Sequence, residues 1–377
     1  MDEILKRLES LHPKIIDLKL DRVKKLLRKL GNPERSLPPI IHVAGTNGKG
    51  STIAMIKAGL EKSGLKSHVY TSPHLVNFNE RIEIGGKRIS EAALKKILTE
   101  CENANNSKPI TFFEITTCAA FLAFSRAPAD YTLLEVGLGG EFDATNIIQN
   151  PAVSIITPIS FDHKEYLGES ISKIAKAKAG IIKKNVPTII SKQSSVVRKI
   201  IKEKCKENGS DAIWSEEGFT VSISRKSIIQ KDSHRNIEFP FPNLTGTHQV
   251  MNALTAISAL THLNIPDKYI REGLKSAYWP ARLQKIENGS LYELITSYNI
   301  KNQLWIDGGH NEDASVQLRN SMGFINKKHL HIIYGSLRNK DHNSFLRNLM
   351  AIASSLCVVD IKNQPSSLLQ TAAVSTA

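Results

Sequence analysis

The 377-residue chain is longer than the roughly 150 residues expected of one domain, so the sequence predicts two domains, each with its own core. Hydrophobic residues make up 41% and charged residues 23% of the chain, as in ordinary globular proteins. No apolar run reaches the ~18 residues of a membrane-spanning helix, and the first residues lack a signal-peptide core, so a cytoplasmic location is expected. The net charge of +14 favours anionic partners, among them nucleotides, polycarboxylates, nucleic acids and acidic membranes.

The basic residues are spread along the chain in short groups such as Lys24-Lys25 and Lys183-Lys184. They are not interleaved with the aromatic side chains that stack nucleic-acid bases. We interpret them as solvated helix faces and expect neither a nucleic-acid partner nor a membrane partner. The four cysteines have neither metal-binding nor disulfide spacing.

Strand-like apolar runs alternate with segments of helical period over the first half of the chain. The pattern predicts strands at 40–44, 131–136, 153–157 and 188–190. It predicts helices that begin at Ser51 and that span 171–179 and 196–207. Gly85-Gly86 predicts the turn of a short hairpin. This order is typical of an α/β protein with a mostly parallel sheet and helices on both faces.

The later sequence predicts three further regions. Residues 211–241 carry short β-prone pieces without a long helical pattern, which indicates a small antiparallel patch. An amphipathic helix over 249–263 and a turn-rich segment around Trp279-Pro280 follow. A second βα series has strands at 303–307, 329–334 and 356–360, so we place a domain boundary near residues 285–300.

A glycine-rich turn, GTNGKGS at 45–51, follows the first predicted strand and opens a helix. Glycines let backbone N–H groups close around phosphate oxygens, Lys49 supplies a cation, and a hydroxyl can face Mg²⁺. The turn departs from the GxxxxGK[ST] pattern because Gly50 separates Lys49 from Ser51. It could also be a plain turn within a βα unit, but the strand before it and the helix after it favour phosphate binding.

Three more polar residues lie at or beyond the carboxyl ends of predicted strands: Glu135, His163 and Asp307. Open α/β sheets bind ligands at this edge, so Glu135 and His163 are candidate Mg²⁺ ligands, and Asp307 could accept hydrogen bonds from a ribose or an ammonium group. Taken singly, such residues are more often structural. At Asp307 a helix cap by Asn311 explains the pattern nearly as well.

Many segments of the chain resemble the bacterial folylpolyglutamate synthase and dihydrofolate synthase family within the Mur ligase superfamily. The matching segments run in family order over nearly the whole chain: 42–51, TSPHL at 71–75, 79–82, TFFE at 111–114, LEVGLGG at 134–140, DATN at 143–146, 162–163, KAGI at 178–181, GTHQ at 246–249, 282–284, DGGHN at 307–311 and 335–341. The extra glycine at position 50, together with TSPHL, separates this family from the peptidoglycan Mur ligases. Two matched segments differ from the family, with Ala177 in place of a glutamate and Ala281 in place of a glycine.

The resemblance implies a Mur-ligase-like α/β fold. Residues 1–290 would form a P-loop ATPase domain, and residues 291–377 a smaller, Rossmann-like domain. Because the family's chains continue beyond this length, the resemblance implies that the second domain is truncated.

The resemblance also implies a role for each matched position. The implied ATP contacts are Asn47, Gly48, Lys49, Gly50, Ser51, Asn252, Arg282 and Asp307. The implied ligands of two Mg²⁺ ions are Ser51, Ser72, Glu135, His163 and a carbamylated Lys178, and Lys49, His163 and Lys178 are the implied catalytic residues. The implied substrate contacts are Thr111, Phe112, Phe113, Glu114, Phe142, Asp143, Ala144 and His310. Composition alone does not distinguish Lys178 from Lys176.

The activity that the resemblance implies is an ATP-dependent ligase that adds L-glutamate to dihydropteroate and to reduced folates through an acyl phosphate. The expected cofactors are ATP and two Mg²⁺ ions, and the expected oligomeric state is a monomer. Ala144 is similar to the alanine of family members that carry out both reactions. Two alternatives remain: a Mur-type ligase for a nucleotide-linked muropeptide, which would need a UDP-binding domain before the phosphate loop, and an inactive nucleotide-binding remnant.

Overall fold

The computed structural model describes residues 1–14, 16–231, 236–298, 303–322, 329–337 and 340–361. Its first helices are α1 (Asp2–Glu9), α2 (Asp21–Lys29), α3 (Lys49–Lys62), α4 (Glu91–Asn105), α5 (Phe112–Phe124), α6 (Lys164–Leu167), α7 (Ile171–Ala179) and α8 (Ser195–Asn208). The accompanying strands are β1 (Ile40–Ala44), β2 (Ser67–Tyr70), β3 (Ile82–Ile84), β4 (Lys87–Arg88), β5 (Tyr131–Glu135), β6 (Val153–Ile156), β7 (Thr188–Ile190) and β8 (Ala212–Trp214). Short 3₁₀ helices span Pro33–Ser36, Phe78–Arg81 and Ala144–Ile147.

The later helices are α9 (Thr247–His262), α10 (Asp267–Ser276), α11 (Ser290–Ser297), α12 (Glu312–Met322) and α13 (His342–Met350). The later strands are β9 (Phe219–Ser222), β10 (Ser227–Lys231), β11 (Asn236–Pro240), β12 (Gln284–Ile286), β13 (Leu304–Ile306), β14 (His331–Tyr334) and β15 (Ser355–Val358). None of the described helices is both long and apolar enough to cross a membrane.

The eight strands β1 to β8 form one sheet in the order β4-β3-β2-β5-β1-β6-β7-β8. Neighbouring strands from β2 through β8 pair in parallel, and β3 and β4 form an antiparallel edge. The mostly parallel sheet is therefore confirmed. Gly85 and Gly86, at φ +56° and +86°, form the turn between β3 and β4 as predicted, because two consecutive left-handed residues suit a tight hairpin.

Helices cover both faces of this sheet. Along β1, alternate side chains belong to cores on opposite faces. Ile41 and Val43 belong to a core with α3, α9 and α10, whereas Ile40 belongs to a core with α1, α2, α4 and α5. Ala44 faces a third core with α7 and α8. Because successive side chains of a strand point to opposite faces, a strand whose residues are all buried must be covered twice. Strand β1 is thus central, and its carboxyl end is held between those of β5 and β6.

The predicted antiparallel patch is present as the three-stranded sheet β11-β10-β9. One part of the predicted region differs, because β8 at Ala212–Trp214 pairs in parallel with β7 and completes the large sheet. No helix follows β8, so the alternating βα pattern could not assign it.

The C-terminal residues form smaller units. Strands β12 and β13 pair antiparallel, and β14 and β15 pair in parallel. Tyr334, Phe345, Leu346 and Leu349 form a small core of their own. The domain limits at residues 290 and 291 stay a prediction. The predicted strand at 356–360 corresponds to β15, while residues 362–377 lie outside the described part of the chain.

Candidate active site

The glycine-rich turn joins β1 to α3, which begins at Lys49. Gly48 has φ +84° and lies against the side chain of Asn252, so a side chain at position 48 would be both strained and obstructed. The backbone N–H and the hydroxyl of Thr46 donate to the carbonyls of Pro158 (2.9 Å) and Ser160 (3.0 Å). The turn is therefore fixed to the segment that follows β6.

Gly50, the glycine that departs from the usual phosphate-loop pattern, lies under the ring of Trp279. A Cβ atom at position 50 would lie 2.7 Å from Cε2 and Cζ2 of this ring. Van der Waals contact between carbon atoms requires about 3.5 Å or more. The indole ring thus occupies the space of a side chain, which explains a glycine here in steric terms.

Lys49 and Ser51 differ in whether their side-chain polar groups are hydrogen-bonded. The Lys49 ammonium donates to the carbonyls of Gly45 (3.3 Å) and Thr46 (3.1 Å), and its Nζ lies 4.0 Å from Glu135 Oε1. The Ser51 hydroxyl is buried and has no hydrogen-bond partner among the residues that the structure describes. Buried polar groups are normally paired, so this hydroxyl is available to a ligand.

Glu135 is the last residue of β5 and is buried. Its Oε2 accepts a hydrogen bond from the Ser72 backbone N–H at 3.0 Å. Burial raises the pKa of the Glu135 carboxyl above its ordinary value, while Lys49 and the Ser72 N–H act in the opposite direction. The structure thus brings Lys49, Ser72 and Glu135 together as predicted.

Lys178 is buried on α7, whereas Lys176 is exposed. The Lys178 Nζ donates to the carbonyl of Gly45, the first residue of the phosphate loop, at 2.8 Å. Burial, with a contribution from the charge of Lys49, lowers the pKa of Lys178 to about 7. Burial therefore distinguishes Lys178 from Lys176, whereas composition alone did not.

His163, at φ +51°, immediately precedes α6, and burial lowers its pKa to about 4. The preceding Asp162, to which the sequence assigned no role, accepts hydrogen bonds from Lys340 (3.0 Å) and Asn311 (3.1 Å), and His310 Nε2 lies 3.4 Å from it. Burial acts to raise the pKa of Asp162, but the hydrogen bond from His310 and the charges of His163 and Lys340 lower it below the ordinary range.

The phosphate loop also contacts α12 directly. Asn47 and Asn311 exchange two side-chain hydrogen bonds (3.1 and 3.0 Å), and Asn47 also donates to Asp313 at 2.7 Å. Asn311 accepts from the Ala314 N–H at 3.0 Å, so it caps the helix, as the alternative interpretation of this turn predicted. We call the set Asn47, Asp162, Asn311, Asp313 and Lys340 the clasp.

Asp307 is bonded to the segment between α10 and β12. Its carboxylate accepts from the N–H groups of Leu283 and Gly309, both at 2.7 Å. Ala281 and Leu283, on either side of Arg282, have φ +52° and +42°. The left-handed conformation of Ala281 gives a physical reason for the family's glycine at this position.

A cavity of about 540 Å³ lies over the phosphate loop. The predicted residues that line it are Asn47, Gly48, Lys49, Gly50, Ser51, Ser72, Glu135, Asn252, Arg282, Asp307 and His310. His163, Lys178 and the predicted acceptor residues at 111–114 and 142–144 do not line it. Thr46, Gln193 and His248 also line it, although none of them was predicted as a site residue. His248 belongs to the matched GTHQ segment, which was the available signal. Within the described part of the chain, its buried Nδ1 has no hydrogen-bond partner.

The residues predicted to contact the folate substrate are of two kinds: side chains that are buried or held by hydrogen bonds, and side chains that are accessible. Thr111 and Glu114 form a capping box at the start of α5, and Asp143 is buried and accepts from the Leu138 and Thr145 N–H groups. Ala144 is only 3% exposed. Three aromatic side chains retain accessible surface: Phe112, Phe113 and Phe142. Phe113 lies against Gly137, two residues beyond Glu135, so this surface adjoins the edge that carries Glu135.

A divalent cation fits the residues around Ser51. No three His, Cys, Asp or Glu side chains within the described ranges form a metal-binding group. The predicted ligand set contains only Glu135 and His163 of these types, so it depends on hydroxyl groups and a modified lysine. The unpartnered Ser51 hydroxyl and the buried Glu135 carboxylate are oxygen donors of the kind that Mg²⁺ prefers.

Comparison with known proteins agrees with this geometry. The sequence profile of the Mur ligase middle domain matches residues 43–260. The dihydrofolate synthase/folylpolyglutamate synthase of Bacillus subtilis is 32% identical over 89% of this chain and 80% of its own, and that of Escherichia coli is 33% identical over 89% and 76%. The structure of E. coli FolC in complex with DHPP and ADP covers 97% of this chain and is itself covered to 84%, with 30% identity and a TM-score of 0.86.

A second solved structure, a bifunctional folylpolyglutamate synthase/dihydrofolate synthase with Mn, AMPPNP and L-glutamate bound, has 30% identity and a TM-score of 0.83. It covers 96% of this chain and is covered to 84%. The fold and the phosphate-loop site are those of a Mur-type ligase. Within that class, the chain belongs to the dihydrofolate synthase/folylpolyglutamate synthase family.

Proposed function

We propose that this chain adds L-glutamate to dihydropteroate and also extends reduced folates, by ATP-dependent ligation through an acyl phosphate. The observation that carries the proposal is the cavity over the phosphate loop, where Lys49, Ser51 and Glu135 meet. Phe113 lies close by, against Gly137, two residues beyond Glu135. ATP-dependent ligation of glutamate to folates is the activity of the family, and relatives bind ADP or AMPPNP and a divalent metal. The proposal goes further in assigning both reactions and individual residues.

The reaction begins with a carboxylate that is a poor electrophile. One carboxylate oxygen attacks the γ-phosphorus of ATP, the bond from that phosphorus to the β-phosphate oxygen breaks, and ADP leaves. The glutamate amine then attacks the acyl carbon, phosphate departs, and the amine loses a proton as the amide forms. Lys49 lies where the glycine-rich turn passes into α3. Its ammonium group would contact the transferring phosphoryl group and offset the negative charge of that group.

Ser51, Ser72, Glu135, His163 and Lys178 would hold the divalent cations. Bound Mg²⁺ supplies further charge neutralisation for phosphoryl transfer. We propose two ions, since the ligand set extends from the Ser51 side of the phosphate loop to His163. Asn252, Arg282 and Asp307 would contact the nucleotide. For Asp307 this requires exchange of at least one of its two backbone hydrogen bonds.

Lys178 would act as a carbamate. An uncharged amine attacks the carbon of CO₂, an N–C bond forms, and one proton leaves. The lowered pKa of Lys178 supports this chemistry because it makes the uncharged amine accessible near neutral pH. The product is an anion in place of a cation, and an anion is attracted to nearby divalent cations.

The acceptor would contact the accessible aromatic side chains, Phe112, Phe113 and Phe142. Thr111, Glu114 and Asp143 would support this surface through the backbone hydrogen bonds that they already make. The small side chain of Ala144 is buried beneath it, so Ala144→Ser would place a hydroxyl in an apolar core.

The test is glutamate-dependent ADP release and product formation with dihydropteroate, tetrahydrofolate and a UDP-linked muropeptide as acceptors. Turnover of the two pterin acceptors alone supports the proposal, and we expect Ala144→Ser to reduce dihydropteroate turnover more than folate extension. Turnover of the muropeptide would favour the other type of Mur ligase. Absence of ADP release with every acceptor would indicate a nucleotide-binding remnant. Equal losses in both reactions of the variant would contradict the assignment of Ala144.

A further inference from the structure

Arg22 makes a partly buried, two-sided ion pair near the start of α2. Its Nε and Nη2 each donate to the Glu114 carboxylate at 2.9 Å. Its Nη1 donates to the Asp17 carboxylate and its Nη2 to the Asp17 carbonyl, both at 2.8 Å. One guanidinium group therefore joins two parts of the chain that are about a hundred residues apart.

The Glu114 end of this ion pair is built into the first turn of α5. The Glu114 side chain is 5% exposed, and its Oε2 also accepts the Thr111 N–H at 2.7 Å. Phe112 and Phe113, the accessible aromatic residues, lie between these two positions in the sequence. The position of α5's first turn, and of both rings, thus depends on the carboxylate that Arg22 holds.

The Asp17 end fixes the irregular segment 16–20. Leu18 in this segment packs against the core that contains Val136 and Leu138, which follow Glu135. Leu20 packs against the other core, the one that Phe112 and Phe113 adjoin. The segment therefore contacts two cores, one that includes Val136 beyond the Glu135 edge and one against which Phe112 and Phe113 pack.

We propose that Arg22 is a positioning residue for the acceptor, which fixes segment 16–20 and the first turn of α5 relative to each other. The inference rests on the proposed function, because it concerns the surface assigned to the pterin and benzoate. Dihydropteroate carries no glutamate, so its ring system alone must orient the reacting carboxylate toward the γ-phosphate. A small displacement of this surface should therefore affect the acceptor and leave the nucleotide unaffected.

The first variant is Arg22→Met, which keeps an unbranched side chain of similar length and removes every donor. We expect the KM for dihydropteroate to rise by about tenfold or more, since misplacement by about 1 Å can cost up to about 10²-fold in rate. The KM values for ATP and glutamate should stay within about twofold. Arg22→Met also leaves the buried Glu114 carboxylate without its cation, so thermal stability should fall.

The double variant Arg22→Met/Glu114→Gln separates positioning from stability. Glutamine at position 114 can keep the capping box and carries no charge, so the midpoint of unfolding should recover toward that of the parent. The connection to Asp17 stays broken, so the KM for dihydropteroate should stay high. Recovery of this KM together with the stability would overturn the proposal and leave Arg22 a purely structural role.

Arg7→Met is the matched control. Arg7 makes a similar two-bond ion pair with Glu102, at 3.0 Å for each bond, but it is exposed and lies between α1 and α4. Its loss should change neither stability nor any KM appreciably. If the parent fails to turn over dihydropteroate, the proposed function fails. If the parent is active and Arg22→Met has an unchanged KM for dihydropteroate, the positioning role alone fails.

Discussion

Replacing Gly50 by alanine tests the contact between the phosphate loop and Trp279. The added Cβ would lie 2.7 Å from two ring carbons and 2.8 Å from Nε1, so the ring must retreat by close to 1 Å to restore a normal contact. Trp279 also packs against the core of α3, α9 and α10, which resists that movement. Overpacking of this kind costs about 1–3 kcal/mol, so Gly50→Ala should lower the free energy of unfolding by that amount.

The destabilising effect of Gly50→Ala should disappear or reverse once the indole ring of Trp279 is removed. Gly50 is the second residue of α3, and glycine within a helix is about 0.8–1.0 kcal/mol less favourable than alanine, with a smaller effect in the first turn. In a Trp279→Leu background, Gly50→Ala should therefore be neutral or slightly stabilising.

Thermal and denaturant unfolding of the four proteins, parent, two single variants and the double variant, gives the coupling between the two positions. ATP affinity should change in the same way. Gly50→Ala should weaken ATP binding when Trp279 is present and have little effect in the Trp279→Leu background, because the indole ring contacts the phosphate loop at Gly50. If Gly50→Ala lowers stability equally with and without the indole ring, the steric explanation of this glycine is wrong.

The remaining predictions concern two lysines of the site. Lys49→Ala should reduce ADP release by about 10²-fold or more, because a cation at the transferring phosphoryl group is lost, whereas Lys62→Ala at the exposed end of the same helix should have no effect. Near-parental turnover of Lys49→Ala would remove this residue from the mechanism. Lys178→Ala should be inactive and partly restored by short-chain carboxylates, while exposed Lys176→Ala keeps activity. An unmodified Lys178 in high-resolution density from crystals of an active preparation would contradict the carbamate.

Much of the large sheet could be predicted because most of its strands can be recognised from their own short stretch of sequence. An apolar run such as 40–44 defines a strand by itself, and the glycines and lysine that follow it define the loop. The bounds of β1, β7 and α7 agree with the prediction residue for residue. Strand β8 was not predicted because it is three residues long and no helix follows it.

The burial of Lys178 was predictable in principle. Ile174, Ala175, Lys178 and Ala179 are all buried on α7, which is the spacing of one helix face. A lysine is by default interpreted as solvated, whereas the buried amine of Lys178 has an acceptor in the Gly45 carbonyl. The clasp and the Gly50 contact could not be predicted, since each joins residues more than a hundred positions apart and has no local pattern.

The clasp has a consequence for the energetics of ligand binding. Asn47 uses its amide N–H groups and its carbonyl on Asn311 and Asp313, so a nucleotide that recruits Asn47 must compete with those bonds. Each such hydrogen bond contributes a net ~0.5–1.5 kcal/mol, and linkage between two equilibria is reciprocal. If ATP recruits Asn47, whatever loosens α12 from the phosphate loop would strengthen nucleotide binding, and nucleotide would loosen α12 to the same extent. Under that condition, sequence changes on the part of α12 that does not line the cavity would shift the ATP concentration at which the enzyme works.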